Sequence, residues 1–284
     1  MLTVQQIQRW LNRLYYYIRI LSIDIVLGAV SVSLYATRLF ESGIPKIYWL
    51  LFPLVVWIIY TFDHITDGLT VNPPIQKPTY RFHFENKSRL ISIVFTLATA
   101  ISILFFVFFN MTLLIIALAG GGLISIYFLV HKALPLKLRN WFPKELLIST
   151  GYMIGTFGLP FLTKTKPITR TEVLIITCYF LLVFSNVLIY SFFDFEEDKQ
   201  SGFVGIIQVL GIKSGYKVVL SFVIVSDILC LYLLFNNPTS IIILLVSVGI
   251  SFIVFKPATF SKNQLYGKIA DALFLLPGLI ILIG

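Results

Sequence analysis

The chain has 284 residues, of which 58% are hydrophobic and only 12% charged, with a mean hydropathy of +0.91. Those values exclude an ordinary soluble domain, because apolar runs near membrane-spanning length recur along the whole sequence. The net charge of +9 does not point to nucleic acid, since Lys and Arg form no stripe interleaved with aromatics; loop charge that sets membrane topology accounts for it.

In chain order, Met1 to Tyr17 reads as an amphipathic helix on a membrane surface, with Arg9 and Arg13 on its polar side. No small-residue cleavage site follows the first apolar run, so no removable leader is expected. Nine membrane spans are then expected, at residues 18–36, 47–62, 89–109, 111–130, 145–163, 171–193, 215–235, 239–255 and 267–283. Asn110 divides the third from the fourth, and Gly120-Gly121-Gly122 inside the fourth is expected to admit a neighbouring helix closely. Residues 164–170, with Pro167, divide the fifth from the sixth, and Asn236-Asn237-Pro238 the seventh from the eighth. Cys178 and Cys230 lie in separate spans with no His or Cys at metal-ligand spacing, so neither a disulfide nor a zinc site is expected. The fold class is therefore all-α and polytopic, one membrane domain over residues 1–284.

With the N-terminus cytoplasmic, seventeen of the 22 Lys and Arg residues fall in inward-facing segments and five in outward-facing ones. This satisfies the positive-inside rule and places the C-terminus outside. Two acidic stretches then lie on the cytoplasmic side: Asp63-His64-Ile65-Thr66-Asp67 after span two, and Asp194-Phe195-Glu196-Glu197-Asp198 after span six. They hold six of the thirteen acidic residues, and each sets two Asp four apart, on one helix face. Carboxylates so close repel and call for cations, with Mg²⁺ carrying a diphosphate as the natural candidate. Recurrence of the motif four spans later, each time ahead of basic loops, suggests two related halves meeting around one cavity.

This set resembles the UbiA superfamily of intramembrane prenyltransferases over nearly the whole chain. Tyr190-Ser-Phe-Phe-Asp194-Phe-Glu-Glu-Asp198-Lys-Gln-Ser-Gly202 is similar to the family's D-x-x-x-D segment, including the glycine four residues beyond the last Asp. In the first motif, Asp63 and Asp67 fit the last two Asp of the family's N-D-x-x-D-x-x-x-D, whereas Ile59 and Tyr60 stand where the family has Asn and Asp. The loop from Tyr127 to Lys144, which reads Tyr127-Phe-Leu-Val-His131-Lys132 and then Leu136-Lys137-Leu138-Arg139, resembles a third basic segment of the family, Y-P-x-x-K-R, without its proline.

The resemblance implies about nine helices around a central chamber opening to the cytoplasm, and a bacterial cell membrane is the expected setting. Mg²⁺ would be held by Asp63, Asp67, Asp194 and Asp198, which thereby become the catalytic residues. Lys77, Arg81, Lys132, Lys137 and Arg139 would contact the diphosphate, although inward-facing loops carry such residues anyway. Asp24, Asn186 and Tyr190 would line the chamber beside the acceptor. The partners implied are a prenyl diphosphate, a hydrophobic or aromatic acceptor and membrane lipid. One of Glu196 and Glu197 is expected at the site rim and the other in solvent. His64 is expected to hydrogen-bond rather than ligate, since imidazole is a poor Mg²⁺ ligand; His83 and His131 read as ordinary interfacial residues.

Two rival readings follow from the same residues. A membrane terpene cyclase would share the diphosphate ionisation but use an internal double bond as acceptor. A cation- or proton-coupled transporter would use the intramembrane carboxylates Asp24, Asp227 and Asp271. It would also want paired Pro/Gly-broken helices at mid-membrane, and the sequence has no clear pair.

Overall fold

A computed structural model describes residues 4–70, 77–108, 110–130, 143–200 and 203–282. Among these residues the regular structure is entirely helical. Seven helices are long and apolar enough to cross a membrane, and the chain is a polytopic helical membrane protein.

The chain divides into two compact units. The first comprises Met1–Leu27 and Lys46–Phe109. Within it lie α1 (Val4–Ile20), the start of α2 (Ile23–Leu39), α3 (Tyr48–Thr70), α4 (Pro78–Glu85) and α5 (Lys87–Val107). The first expected span is broken: α1 and α2 meet at 69°. Ser22, between them, takes a left-handed φ of 55°, which ends α1 three residues into the apolar run. The exposed Trp10, Leu11 and Leu14 of α1 fit a helix that lies along an apolar surface. The second expected span was to end at residue 62, but α3 continues to Thr70. Nothing from Asp63 to Thr70 breaks a helix, and Thr66 Oγ1 donates to the Asp63 carbonyl at 2.8 Å. Asp63 and Asp67 therefore sit inside the last two turns of α3 rather than beyond it.

The helix α4 lies close against α3 at Gly68, where a Cβ would come within 2.8 Å of the Tyr80 carbonyl oxygen. By contrast α5 buries only Leu90, and its exposed Phe95 and Phe106 suit contact with lipid chains.

The second unit comprises Gly28–Pro45 and Asn110–Gly284. Its helices include α6 (Met111–Phe128), α7 (Lys144–Leu162), α8 (Arg170–Phe193), α9 (Phe195–Gln200), α10 (Ile206–Leu210), α11 (Ile212–Asn236), α12 (Ile241–Phe255), α13 (Pro257–Phe260) and α14 (Leu265–Leu273). A 3₁₀ segment, Leu276–Leu282, extends α14 past Pro277. At 15 residues α12 is about 22 Å long, short of the roughly 30 Å hydrocarbon layer.

The core is built on α8. Ile175, Cys178, Tyr179 and Leu182, spaced as one helical stripe, are fully buried. Tyr179 packs between Tyr35 and Phe157, with ring centroids 5.2 and 5.1 Å away. A capping box between Thr169 and Glu172 starts α8, and Lys164 Nζ reaches Glu172 Oε1 at 2.6 Å.

One sequence expectation is corrected here. Among the described residues nothing lies within 4 Å of a Cβ at Gly120, Gly121 or Gly122; the tight glycine between α6 and α7 is Gly158, where a Cβ would come within 2.6 Å of Ile116 Cδ1. Cys178 and Cys230, far apart in sequence, face each other as free thiols with sulfurs 2.9 Å apart, because α8 and α11 pack side by side.

Gly68→Val should lower stability by roughly 1–3 kcal/mol, because the new side chain meets backbone that cannot rotate away. The check is the apparent melting temperature in detergent, with Gly120→Val, in open space, as the unaffected control.

Candidate functional site

The end of α3 carries the first acidic pair. Asp63, His64 and Asp67 fall within about a 100° arc of the helix, and ligand atoms of the three lie within 4.8 Å of one another. Asp67 is buried, while Asp63 and His64 are half-buried. His64 Nε2 lies 3.1 Å from Ser22 Oγ, so the break between α1 and α2 is tied to this cluster.

His83, on α4, is fully buried rather than interfacial. Its ring centroid is 5.1 Å from that of His64. Its Nδ1 lies 2.8 Å from the Thr79 carbonyl oxygen. Burial pushes its pKa below the usual imidazole value, the Thr79 contact opposing it, which keeps the ring neutral at pH 7.

Three other expected residues, Lys77, Arg81 and Asp24, lie in this unit. Lys77 caps α4 and its Nζ stands 5.0 Å from the Tyr80 ring centroid, while Arg81 is exposed on the same helix. Asp24 pairs with Arg19 Nη1 at 2.7 Å in the first turn of α2. Lys132, Lys137 and Arg139, with His131, lie outside the described residues.

The second pair closes α8. Asp194 is the C-cap residue, and the Asp198 N–H donates to the Asp194 carbonyl at 2.8 Å, so the two carboxylates sit one turn apart. Both are only 7% exposed, which requires donors around them. The Tyr266 hydroxyl donates to Asp194 Oδ1, and the Phe193 ring stacks on Tyr266 at 4.4 Å. Lys144 Nζ and Gln208 Nε2 reach Asp198 Oδ2 at 3.3 and 3.4 Å. Glu196 is exposed and Glu197 half-buried.

Glu145, fully buried at the start of α7, supports this motif from behind. Its Oε1 accepts from Ser191 Oγ at 2.8 Å and from the Ile206 N–H at 3.0 Å. One carboxylate thus joins the last turn of α8 to the first residue of α10, on either side of the Asp194–Asp198 segment. A Cβ at Gly205 would meet Glu145 Oε1, so a side chain there would push that carboxylate aside.

Further along α8, Tyr190 donates to Asp271 Oδ2 at 2.5 Å. One turn earlier, Asn186 Oδ1 is buried with no hydrogen-bond partner among the described residues. Asp227 accepts from Ser247 and Ser251 at 2.6 and 2.5 Å. The intramembrane carboxylates are thus each held by a neighbouring donor, a structural role that weighs against a mobile coupling-ion site.

Sequence reasoning missed Lys144, Glu145, Gln208 and Tyr266. Lys144-Glu145, a charged pair opening an apolar run, was a usable signal. Tyr266, 72 residues from Asp194 in the chain, gave none.

No family model and no curated protein sequence matches the chain. Solved structures do. The apo structure of a UbiA homologue from Aeropyrum pernix K1 superposes with a TM-score of 0.62 at 14% identity, covering 91% of this chain and 97% of that one. A UbiA homologue from Archaeoglobus fulgidus, bound to DMAPP and Mg²⁺, gives 0.55 at 15% identity, covering 94% and 99%. A UbiA homologue from Archaeoglobus fulgidus bound to Cd²⁺ gives 0.54 at 15% identity, covering 94% and 99%. The chain therefore has the fold of these UbiA homologues.

Glu145→Ala should cost roughly 1–3 kcal/mol, because it strands the buried donors Ser191 Oγ and the Ile206 N–H. Thermal melting in detergent measures it, and Glu145→Gln, which keeps one acceptor, should lose less.

Proposed function

We propose that the chain is an integral-membrane prenyltransferase of the UbiA type, which transfers a prenyl group from a prenyl diphosphate to a hydrophobic or aromatic acceptor and releases pyrophosphate. The observation that carries this reading is the second acidic pair: two buried carboxylates, one turn apart at the end of an apolar helix, with a lysine beside them. The fold shared with a homologue that binds DMAPP and Mg²⁺ supports it.

The donor sets suit Mg²⁺ as far as Asp194 and Asp198 are concerned, both being hard oxygen ligands. In this reading Asp63, Asp67, Asp194 and Asp198 are the metal-holding residues, and Mg²⁺ when bound neutralises charge on the diphosphate. Lys144 adds positive charge next to Asp198, and Lys77 and Arg81 add it beside α3. The allylic C–O bond breaks heterolytically and its electron pair leaves with the diphosphate. The acceptor nucleophile forms the new bond to the allylic cation and gives up its proton. Low-dielectric surroundings strengthen the hold on the departing anion and keep water from the cation. Tyr190, Tyr266 and Phe193 place aromatic faces near the end of α8, where they can stabilise a cation.

Asn186, with its partnerless buried carbonyl oxygen, and Tyr190 are the acceptor-side candidates on α8; Asp24 is the candidate on α2. The lysine and arginine distribution supports a cytoplasmic N-terminus and active-site mouth; a bacterial cell membrane is the setting we propose.

Asp194→Asn and Asp198→Asn should each lower pyrophosphate release from a prenyl diphosphate about 100-fold or more, with the melting temperature nearly unchanged. EDTA should silence the wild type, and Mg²⁺ should restore it. Full turnover in either variant contradicts the reading.

A further inference from the structure

We propose that His64 is a nitrogen ligand of the first acidic site, and that this site takes a first-row transition-metal ion such as Mn²⁺ in preference to Mg²⁺. The proposal rests on the reading that Asp63 and Asp67 hold a cation.

Three observations lead to it. The ligand atoms of Asp63, His64 and Asp67 lie within 4.8 Å of one another, so the imidazole belongs to the cluster as fully as either carboxylate. The turn of α3 before Asp63 offers Ile59 and Tyr60, with no further carboxylate to complete an oxygen cage.

The second observation is the contact between His64 and Ser22. With Nε2–H donated to Ser22 Oγ at 3.1 Å, the lone pair falls on Nδ1, which is the tautomer a ligand needs. A metal-binding histidine characteristically gives its other N–H to such a partner. Ser22 is itself 2% exposed and fixed in a left-handed backbone conformation, so it is a rigid anchor rather than a passing contact.

The third observation is His83. It is fully buried, and its Nε2 has no hydrogen-bond partner among the described residues. The Nδ1 edge is engaged by Thr79, and the ring stands 5.1 Å from that of His64. A buried imidazole whose Nε2 has no partner among the described residues has no structural use in an all-oxygen Mg²⁺ site, and its ring lies beside that of His64. Mg²⁺ demands oxygen ligands and sheds water reluctantly, whereas imidazole suits transition metals.

The test uses the full-length, untagged protein in detergent, as the Asp194→Asn/Asp198→Asn double variant so that the second pair is disabled. Mn²⁺ is titrated in by electron paramagnetic resonance, and pulsed measurements read nitrogen coupling to the bound ion. Bound Mn²⁺ should show ¹⁴N modulation and resist displacement by a tenfold excess of Mg²⁺, about 1.4 kcal/mol of selectivity. Adding His64→Gln should abolish the modulation. Ser22→Ala, which leaves His64 in place, should keep the modulation but weaken Mn²⁺ binding about 10-fold or more.

Absence of Mn²⁺ binding, absence of nitrogen coupling, or coupling that survives His64→Gln overturns the proposal. Prenyl transfer by the wild-type protein with Mg²⁺, together with no nitrogen coupling in the double variant, would remove the His64 ligand alone. Nitrogen coupling in the double variant, together with no prenyl transfer by the wild-type protein, would leave the metal site standing and remove the proposed reaction.

Discussion

Carboxylates at the ends of apolar helices govern this structure. An ionised carboxylate removed from water costs several kcal/mol unless donors or cations surround it. Asp67, Asp194, Asp198 and Glu145 are all buried, and the chain spends much of its scarce polar inventory around them. Tyr266 serves Asp194, Lys144 and Gln208 serve Asp198, and Ser191 with the Ile206 backbone serves Glu145. These donors come from α7, α8, α10 and α14, so the segment from Asp194 to Asp198 is fixed from several directions. In the proposed reaction, where a polyanion is met through cations, that fixity keeps the carboxylates from rotating into solvent.

The helix α8 links the fold to the site. Its buried stripe of Ile175, Cys178, Tyr179 and Leu182 makes it the centre of the second unit. Asn186, Tyr190 and Asp194 continue along the same helix toward its C-terminal end. Packing that secures the core therefore also sets the height and rotation of the acidic end. In the first unit α3 plays the corresponding part, ending in Asp63, His64 and Asp67 against the close-packed α4.

Much of this was legible in the sequence, and the reasons are local. Hydrophobic runs located each of the seven helices that are long and apolar enough to cross a membrane among the described residues, because a span must satisfy its own backbone and stay apolar over a fixed length. The i, i+4 spacing of the Asp residues exposed both acidic pairs. What was hidden depended on tertiary contact. The extension of α3 through Asp67 rests on threonine side chains bonding back to the helix, which hydropathy does not register. The facing of Cys178 and Cys230, the burial of His83 and the arrival of Tyr266 at Asp194 all require knowing which helices pack together. Gly120-Gly121-Gly122 looked like a packing face and is open, while the isolated Gly158 makes the close contact. A small residue permits approach but does not bring a partner.

The most direct test of the central claim is a structure of the protein with Mg²⁺ and a non-ionisable thio-analogue of a prenyl diphosphate. The account predicts a diphosphate joined through Mg²⁺ to the carboxylates of Asp194 and Asp198, with the hydrocarbon tail on apolar side chains. A diphosphate bound elsewhere, with neither carboxylate sharing an ion with it, would contradict the account.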